Sequence, residues 1–263
     1  MSIPVALAGM SPGEIMSSLG TASPDDRLRA LHILREMRRR EQQRLFFDLY
    51  PDETTVVGGR RFHARRLYAR HLEFFDVGAR YRERCFMAAN RVGKTFGAGG
   101  YETSMHLTGL YPEWWTGRRF DRAIDAWAAG KTNETTRDII QFTLLGRVLG
   151  SGPGRRVSGT GVIPGAQLGP ATWRTGVADL IDTIQVKHVS GDWSSLGLKS
   201  YQQGRGAFEG TSKHVIWLDE EPDISIYGEC VIRTATTSGI VMLTFTPLEG
   251  MSETVLQFMP GND

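Results

Sequence analysis

The chain has 263 residues, 40% of them hydrophobic and 23% charged, and a net charge of +2. That composition belongs to a globular protein with ample core, and so small a net charge by itself implies no partner. No apolar run approaches the roughly 18 residues of a transmembrane helix, so no membrane partner is expected.

The first ten residues lack a basic lead and make a poor signal peptide. Residues 1–22 carry Gly, Ser and Pro without periodicity and are expected to be loosely ordered. Ser23-Pro24-Asp25-Asp26 reads as a helix start, with Ser23 as N-cap and Asp26 closing a capping box. Leu28, Leu31, Leu34 and Met37 then recur at helical spacing, so a basic amphipathic helix runs to about residue 47. Its arginines, Arg27, Arg29, Arg35, Arg38, Arg39, Arg40 and Arg44, could track phosphates. With Glu36 and Glu41 among them, they read more simply as a solvated helix face. Pro51 and Gly58-Gly59 break the chain. A second helix is expected over roughly 64–80, burying Leu67, His71, Phe74 and Phe75. Residues 23–80 thus form a small helical N-terminal subdomain, followed by a core over 81–263.

In the core, strands and helices alternate. Strands are expected over 84–89, 124–129, 181–189, 215–218 and 240–244, with 195–201 pairing with 181–189. Helices are expected over 94–108, 133–149 and 226–236. The Gly-, Pro- and Arg-rich stretch 150–176 reads as a long loop. Alternation of this kind implies an α/β fold with a mainly parallel central sheet and helices on both faces. Cys85 and Cys230 fall inside expected elements and read as small buried hydrophobes in a reducing compartment. The six histidines show no zinc-like spacing with them.

Chemistry concentrates at three strand ends. Ala88–Thr95 fits the pattern of glycine, four residues, Gly-Lys-Thr, with Ala88 at the first glycine position. The backbone of Ala89, Asn90, Arg91, Val92 and Gly93 would cradle phosphate. Lys94 would hold the β- and γ-phosphates and the Thr95 hydroxyl would ligate Mg2+. Arg91, inside the loop, is a candidate to reach the γ-phosphate in cis. Asp219, ending an apolar strand, would hold Mg2+, and Glu220 would orient and deprotonate the attacking water. Thr244 and Thr246 end the next strand, where hydroxyls could sense the γ-phosphate and pass its loss to whatever follows, or simply close the strand before the Pro247 turn. A second tripeptide, Gly130-Lys131-Thr132, has Asp125 at the first glycine position. That carboxylate would repel phosphate, so the segment reads as a strand-to-helix turn capped by Thr132 or Asn133. Arg155, Arg156, Arg174 and Arg205 are candidates for an arginine supplied to a neighbouring subunit, although each reads more simply as a solvated loop residue.

Taken together, Phe86–Thr95, then Gly206-Ala207-Phe208-Glu209-Gly210-Thr211 leading to Trp217-Leu218-Asp219-Glu220-Glu221-Pro222, then Thr244-Phe245-Thr246-Pro247-Leu248-Glu249-Gly250, resemble the ATPase half of tailed-phage terminase large subunits. The resemblance covers about residues 70–258. It implies a P-loop NTPase of the ASCE type that binds ATP and Mg2+ and packages viral DNA. Lys94 and Thr95 would bind phosphate and Mg2+, Asp219 would bind Mg2+, Glu220 would be the catalytic carboxylate and Thr246 would lie in the coupling motif. It also implies double-stranded DNA, a portal protein and a small terminase subunit as partners, a ring of five subunits, and action in the host cytoplasm at a procapsid. Family members often place an arginine four residues before the lysine, where Asn90 stands here, and an aromatic or Gln-containing segment upstream for the base, which makes Phe74, Phe75 and Tyr81 candidates although the phenylalanines read more simply as core. They normally carry a C-terminal nuclease domain as well, which is expected to lie outside this chain. Two other readings fit the residues: a helicase- or remodeller-type DNA translocase, and a nucleotide-binding module without turnover. Glu220 argues against the latter, since binding alone needs no carboxylate placed for water activation. A DNA-binding module centred on the Arg-rich helix is a further rival.

Overall fold

The computed structural model describes residues 23–42, 44–248 and 250–259. The segment 1–22 and Glu249 lie outside the described residues, as do the side chains of Asp26, Glu36, Met37, Arg38, Arg39, Arg40 and Glu41 on which the cap and the basic face rested. Helix α1 (Pro24–Gln42) and the short α2 (Leu45–Asp48) share the first expected helix between them. Gly58 and Gly59, at φ +55° and +78°, do more than break the chain. They turn a hairpin of β1 (Thr55–Val57) and β2 (Arg60–Phe62), because paired positive φ values match the twist of the flanking strands.

A 3-10 turn (Arg65–Tyr68) leads into α3 (Ala69–Val77). His71, Phe74 and Phe75 are buried as expected, but Leu67 is 64% exposed. A turn of three residues instead of 3.6 rotates Leu67 off the apolar stripe. Next come β3 (Glu83–Met87), a helical run opening in wide π-type turns (Lys94–Gly100) that becomes α4 (Tyr101–Thr108), and β4 (Asp125–Gly130). The helix after β4, running from α5 (Asn133–Thr135) to α6 (Phe142–Leu145), stops at Gly146, where φ is +83°. It therefore falls short of the expected Leu149. Instead β5 (Val148–Leu149) pairs with β6 (Arg156–Val157).

The remaining strands are β7 (Leu168–Trp173), β8 (Ile181–Lys187), β9 (Trp193–Ser200), β10 (Val215–Asp219) and β11 (Ile240–Phe245), with α7 (Ile224–Ala235) before β11 and α8 (Glu253–Gln257) after it. Strand β7 corrects the expected loop over 150–176. Gly169 and Pro170 disguise it in the sequence, yet it is the last strand of the sheet, where a missing N–H is tolerated. A Cβ on Gly169 would overlap the Trp193 ring that covers it.

The main sheet has the order β3-β11-β10-β4-β9-β8-β7. Pairing is parallel from β3 through β9 and antiparallel in the β9–β8–β7 extension. Strand β11 thus separates the strand before the Gly-Lys-Thr loop from the strand bearing Asp219. Alternate residues face two cores. Val215, Trp217, Ile240 and Met242 pack with Phe75, Tyr101, Met105 and Leu144 on one side. Ile216, Leu218, Val241 and Leu243 pack with Ile226, Tyr227, Cys230 and Val255 on the other. Strands buried on both faces read as the near-continuous apolar runs seen in β10 and β11.

The N-terminal elements join the first of these cores through Phe46, Tyr50, Phe74 and Phe75. Beneath β3 and α4, the fully buried Arg84 places Nη2 2.7 Å from Glu102 Oε1, and His106 Nε2 is 3.1 Å from the same oxygen. Burial works to raise the Glu102 carboxyl, but Arg84 and His106 together hold it below the usual range. Burial likewise pushes His106 down. The cluster ties the strand before the loop to the helix after it, so the loop between them is held at both ends.

Candidate functional site

Because β3, β11, β10 and β4 are parallel, their carboxyl ends open onto one edge of the sheet, and every loop that leaves them meets there. A cavity of about 350 Å3 at that edge is lined by Asn90, Arg91, Gly93, Lys94, Thr95, Asp219, Glu220, Thr244 and Thr246, residues widely separated in the sequence. Gly93 has φ +86°, a conformation open to glycine at little steric cost. It turns the chain from the loop into the helix. The loop is backed by the N-terminal elements. The Tyr50 hydroxyl donates to Gly97 O at 2.8 Å, and His71 packs so closely that a Cβ on Gly93 or Gly97 would stand 3.3 Å from its Nε2. Burial lowers the His71 pKa, favouring the neutral ring.

Lys94 Nζ donates to Ala88 O (2.8 Å), Ala89 O (2.6 Å) and Thr246 Oγ1 (2.8 Å). Burial depresses its pKa, opposed by the Asp219 carboxylate. Thr95 Oγ1 stands 2.9 Å from Asp219 Oδ1 and 3.1 Å from Oδ2. The Thr244 hydroxyl donates to Asp219 Oδ1 at 2.7 Å and accepts from the Trp217 indole N–H at 2.7 Å. Gly99 makes room for that indole, since any Cβ there would overlap it. Burial pushes the Asp219 pKa up to about 6, while hydrogen bonds from Thr244 and Thr95 pull against the rise. A hydroxyl and a carboxylate at this spacing, next to a buried cation, are the oxygen donors a hard divalent ion takes, so the residues fit Mg2+. Thr246 is bonded to the loop, with its Oγ1 2.9 Å from Ala88 O and 2.8 Å from Asn90 Oδ1.

Glu220 sits at φ +64°, in the left-handed region although it carries a side chain. Its N–H donates to Thr244 O at 3.1 Å, and its Oε2 is buried without a hydrogen-bond partner among the described residues. Thr132 caps the helix after β4, accepting from Thr135 N at 3.1 Å. Lys131, set aside on the sequence because of Asp125, nonetheless lies on the wall of this same cavity. The parallel pairing of β4 with β10 carries it there, a neighbourhood the tripeptide alone does not encode. As neighbours of the site, Tyr50 and Tyr201 escaped the sequence reading, and His71 and Trp217 were legible only as a helix-face and a strand residue, because their contacts to the site are made by the fold.

The arginine candidates scatter. Arg91 is exposed at φ +65° on the cavity wall. Arg155 lies 3.6 Å from Asp179 and over the Trp173 ring. Arg156 is exposed on the β5–β6 ribbon. Arg174 binds Asp182 at 2.8 Å. Arg205 binds Glu229 at 2.9 Å, with its side chain 55% exposed. Of the base candidates, Phe74 and Phe75 belong to the core. Tyr81 is exposed and lines a larger cleft, about 970 Å3, with Ala88, Phe86 and Val92 behind the loop.

Comparison with known proteins bears on this geometry. The family described as terminase large subunit, T4likevirus-type, N-terminal, matches residues 85–262. The large terminase subunit of Salmonella phage P22 is 33% identical over 265 residues, covering 94% of this chain and 48% of that protein. The chain therefore spans about half the length of that relative. Among solved structures, a mutant ATPase domain of the Thermus phage P74-26 large terminase superposes with a TM-score of 0.44 at 12% identity, over 66% of this chain and 62% of that one. The large terminase of a thermophilic bacteriophage, in complex with ADP, gives 0.39 at 12% identity, over 66% and 34%. At those scores the superpositions add no weight of their own. The sequence match, over well more than half the chain, is sufficient: the chain belongs to the terminase large subunit family, in its N-terminal region.

Proposed function

We propose that this chain hydrolyses ATP with Mg2+ and drives double-stranded DNA into a viral procapsid. The carrying observation is the meeting of Lys94, Thr95, Asp219 and Glu220 in one cavity at the carboxyl ends of neighbouring parallel strands. Backbone amides of Ala89, Asn90, Arg91, Val92 and Gly93 cradle the phosphates, and Lys94 leaves its carbonyl partners to neutralise the β- and γ-phosphate oxygens. Thr95 and Asp219 would hold Mg2+, which would supply charge neutralisation at those oxygens. Glu220 orients a water in line with the γ-phosphate and accepts its proton, a task suited to a buried carboxylate oxygen that no other group satisfies. Thr246, bonded to both Lys94 and Asn90, senses the occupied loop and passes the change to the chain after β11. Arg91 reaches the γ-phosphate in cis, and Arg205, the more exposed of the engaged arginines, is the foremost candidate to act on a neighbouring subunit.

In this reading the assembled motor is a ring, five-membered as the family resemblance implies, docked on a portal in the host cytoplasm and loaded with DNA by a small terminase subunit. No helix among the described residues is long and apolar enough to cross a membrane. The test is steady-state ATP hydrolysis with and without duplex DNA, for wild type and Glu220→Gln. Turnover that Glu220→Gln abolishes while nucleotide still binds supports the reading. Nucleotide binding without any turnover, even at concentrations that assemble rings, overturns it.

A further inference from the structure

Glu220 holds a backbone conformation that residues with a Cβ avoid, and such a conformation persists only where its surroundings over-determine it. One restraint is its own N–H, bonded to Thr244 O on β11. The other comes from outside the motifs. The Tyr201 hydroxyl donates to Asp219 O at 2.8 Å and Glu220 O at 3.1 Å, with Ala129 O at 3.4 Å. Pairing between β10 and β4 ends at Leu218 and Ala129, so the phenol takes hold of the chain where that ladder stops.

Tyr201 is itself fixed. Its ring lies in the second core, 6.5 Å from the Phe208 ring. The 3-10 turn that begins with it is tied to the end of β4. Gln202 N donates to Lys131 O at 3.1 Å, and Ser200 Oγ donates to Asn133 Oδ1 at 2.8 Å. Burial raises the phenol's pKa well above its ordinary value, so the group remains a hydrogen-bond donor. The ends of β4, β9 and β10 therefore meet at one hydroxyl, directly behind Glu220.

We propose that Tyr201 is a positioning residue, whose hydroxyl holds the main chain of Glu220 in the left-handed conformation from which its carboxylate faces the nucleotide cavity. The inference rests on the reading of Glu220 as the water-activating group. Tyr201 is not among the residues lining the nucleotide cavity and acts through the main chain of Asp219 and Glu220. The turn it heads also carries Arg205, so a contact made by a neighbouring subunit at that turn would bear on the catalytic main chain through this hydroxyl.

The experiment compares wild type with Tyr201→Phe, which keeps the ring in its core and removes only the donor. Two quantities are read: kcat against KM for ATP, and amide hydrogen exchange at Asp219, Glu220 and Glu221. The expected result is a kcat lower by about tenfold or more, since a carboxylate displaced by a fraction of an ångström activates water poorly. KM and nucleotide affinity stay within about twofold, and exchange quickens at those three amides while the remainder of the sheet is unchanged. Unaltered exchange overturns the proposal, as does a kcat equal to wild type or a fall in nucleotide affinity as large as the fall in kcat. If wild type itself shows no turnover, the functional reading fails separately, and the exchange measurement alone decides whether Tyr201 restrains this corner.

Discussion

The chain contains Gly-Lys-Thr twice, each time where a strand of the central sheet gives way to a helix, and the two copies take different conformations in different surroundings. At 93–95 the strand ends at Met87 and a loop intervenes. Gly93 takes φ +86°, Lys94 is nearly buried against backbone carbonyls, and the Thr95 hydroxyl faces Asp219. At 130–132 the strand runs straight into the glycine, which keeps ordinary extended geometry. Lys131 is exposed, and the Thr132 hydroxyl is engaged in capping the next helix. The tripeptide does not define the site. A positive φ, a turn that folds the lysine back, and a carboxylate delivered by a neighbouring strand define it.

The comparison can be broken at each of its three positions. The largest effect is expected at the lysines: Lys94→Ala lowers kcat/KM for ATP by about a hundredfold or more, the scale of losing a charge on a transferring phosphoryl group. Lys131→Ala, removing an exposed cation on the cavity wall, changes it by less than about fivefold. Equal losses would make the second corner part of the catalytic machinery. The threonines should dissociate in opposite directions. Thr95→Ala abolishes Mg2+-dependent hydrolysis with little change in thermal unfolding. Thr132→Ala leaves hydrolysis near normal and destabilises the fold by about 1 kcal/mol, the usual loss for an N-cap. At the glycines, Gly93→Ala forces a side chain into the left-handed region, at about 1–2 kcal/mol, and weakens nucleotide binding. Gly130→Ala needs only small shifts of Ile140 and Thr136, whose atoms would stand 3.1 Å from the new Cβ, and binding is expected to survive.

The smallest effect sharpens the contrast through pH. Asp219, the carboxylate that distinguishes the first corner, is raised to about 6 by burial, so the folded chain holds its proton more tightly than the unfolded chain does. Ionisation there costs stability as pH rises from about 4 to about 6, and above that window the whole penalty is present. The stability gained by Asp219→Asn should therefore grow across that window and level off above it. Mg2+ should erase the gain by stabilising the ionised wild type. A gain independent of pH would show that Asp219 is already ionised without its metal.

Much of this was legible in the order of residues. Apolar runs such as Val215–Asp219 and Ile240–Phe245 announce buried parallel strands because both faces of such a strand are covered, and no alternation is needed to recognise them. Lys94, Thr95, Asp219 and Glu220 stand at strand ends whose residue types carry the chemistry locally. Strand β7 was hidden because Gly169 and Pro170 are poor strand formers. What makes them acceptable is an edge position and a covering Trp193, both properties of the assembled sheet. The β1–β2 hairpin was in principle readable from two glycines between short β-prone runs. Leu67 was misplaced because a 3-10 turn, set by local backbone geometry, shifts the phase of the stripe.

The sequence by itself determined which elements form and which functional groups the strand ends present, since propensity, periodicity and loop chemistry act over a few neighbouring residues. Only the tertiary structure decided that Lys131, on the tripeptide the sequence sets aside, shares the cavity. It alone decided that Trp217 and Thr244 orient Asp219, and that Tyr201 stands behind Glu220. Those relations join residues brought side by side by strand order and parallel register, and no local pattern encodes a partner supplied by a strand distant in the chain.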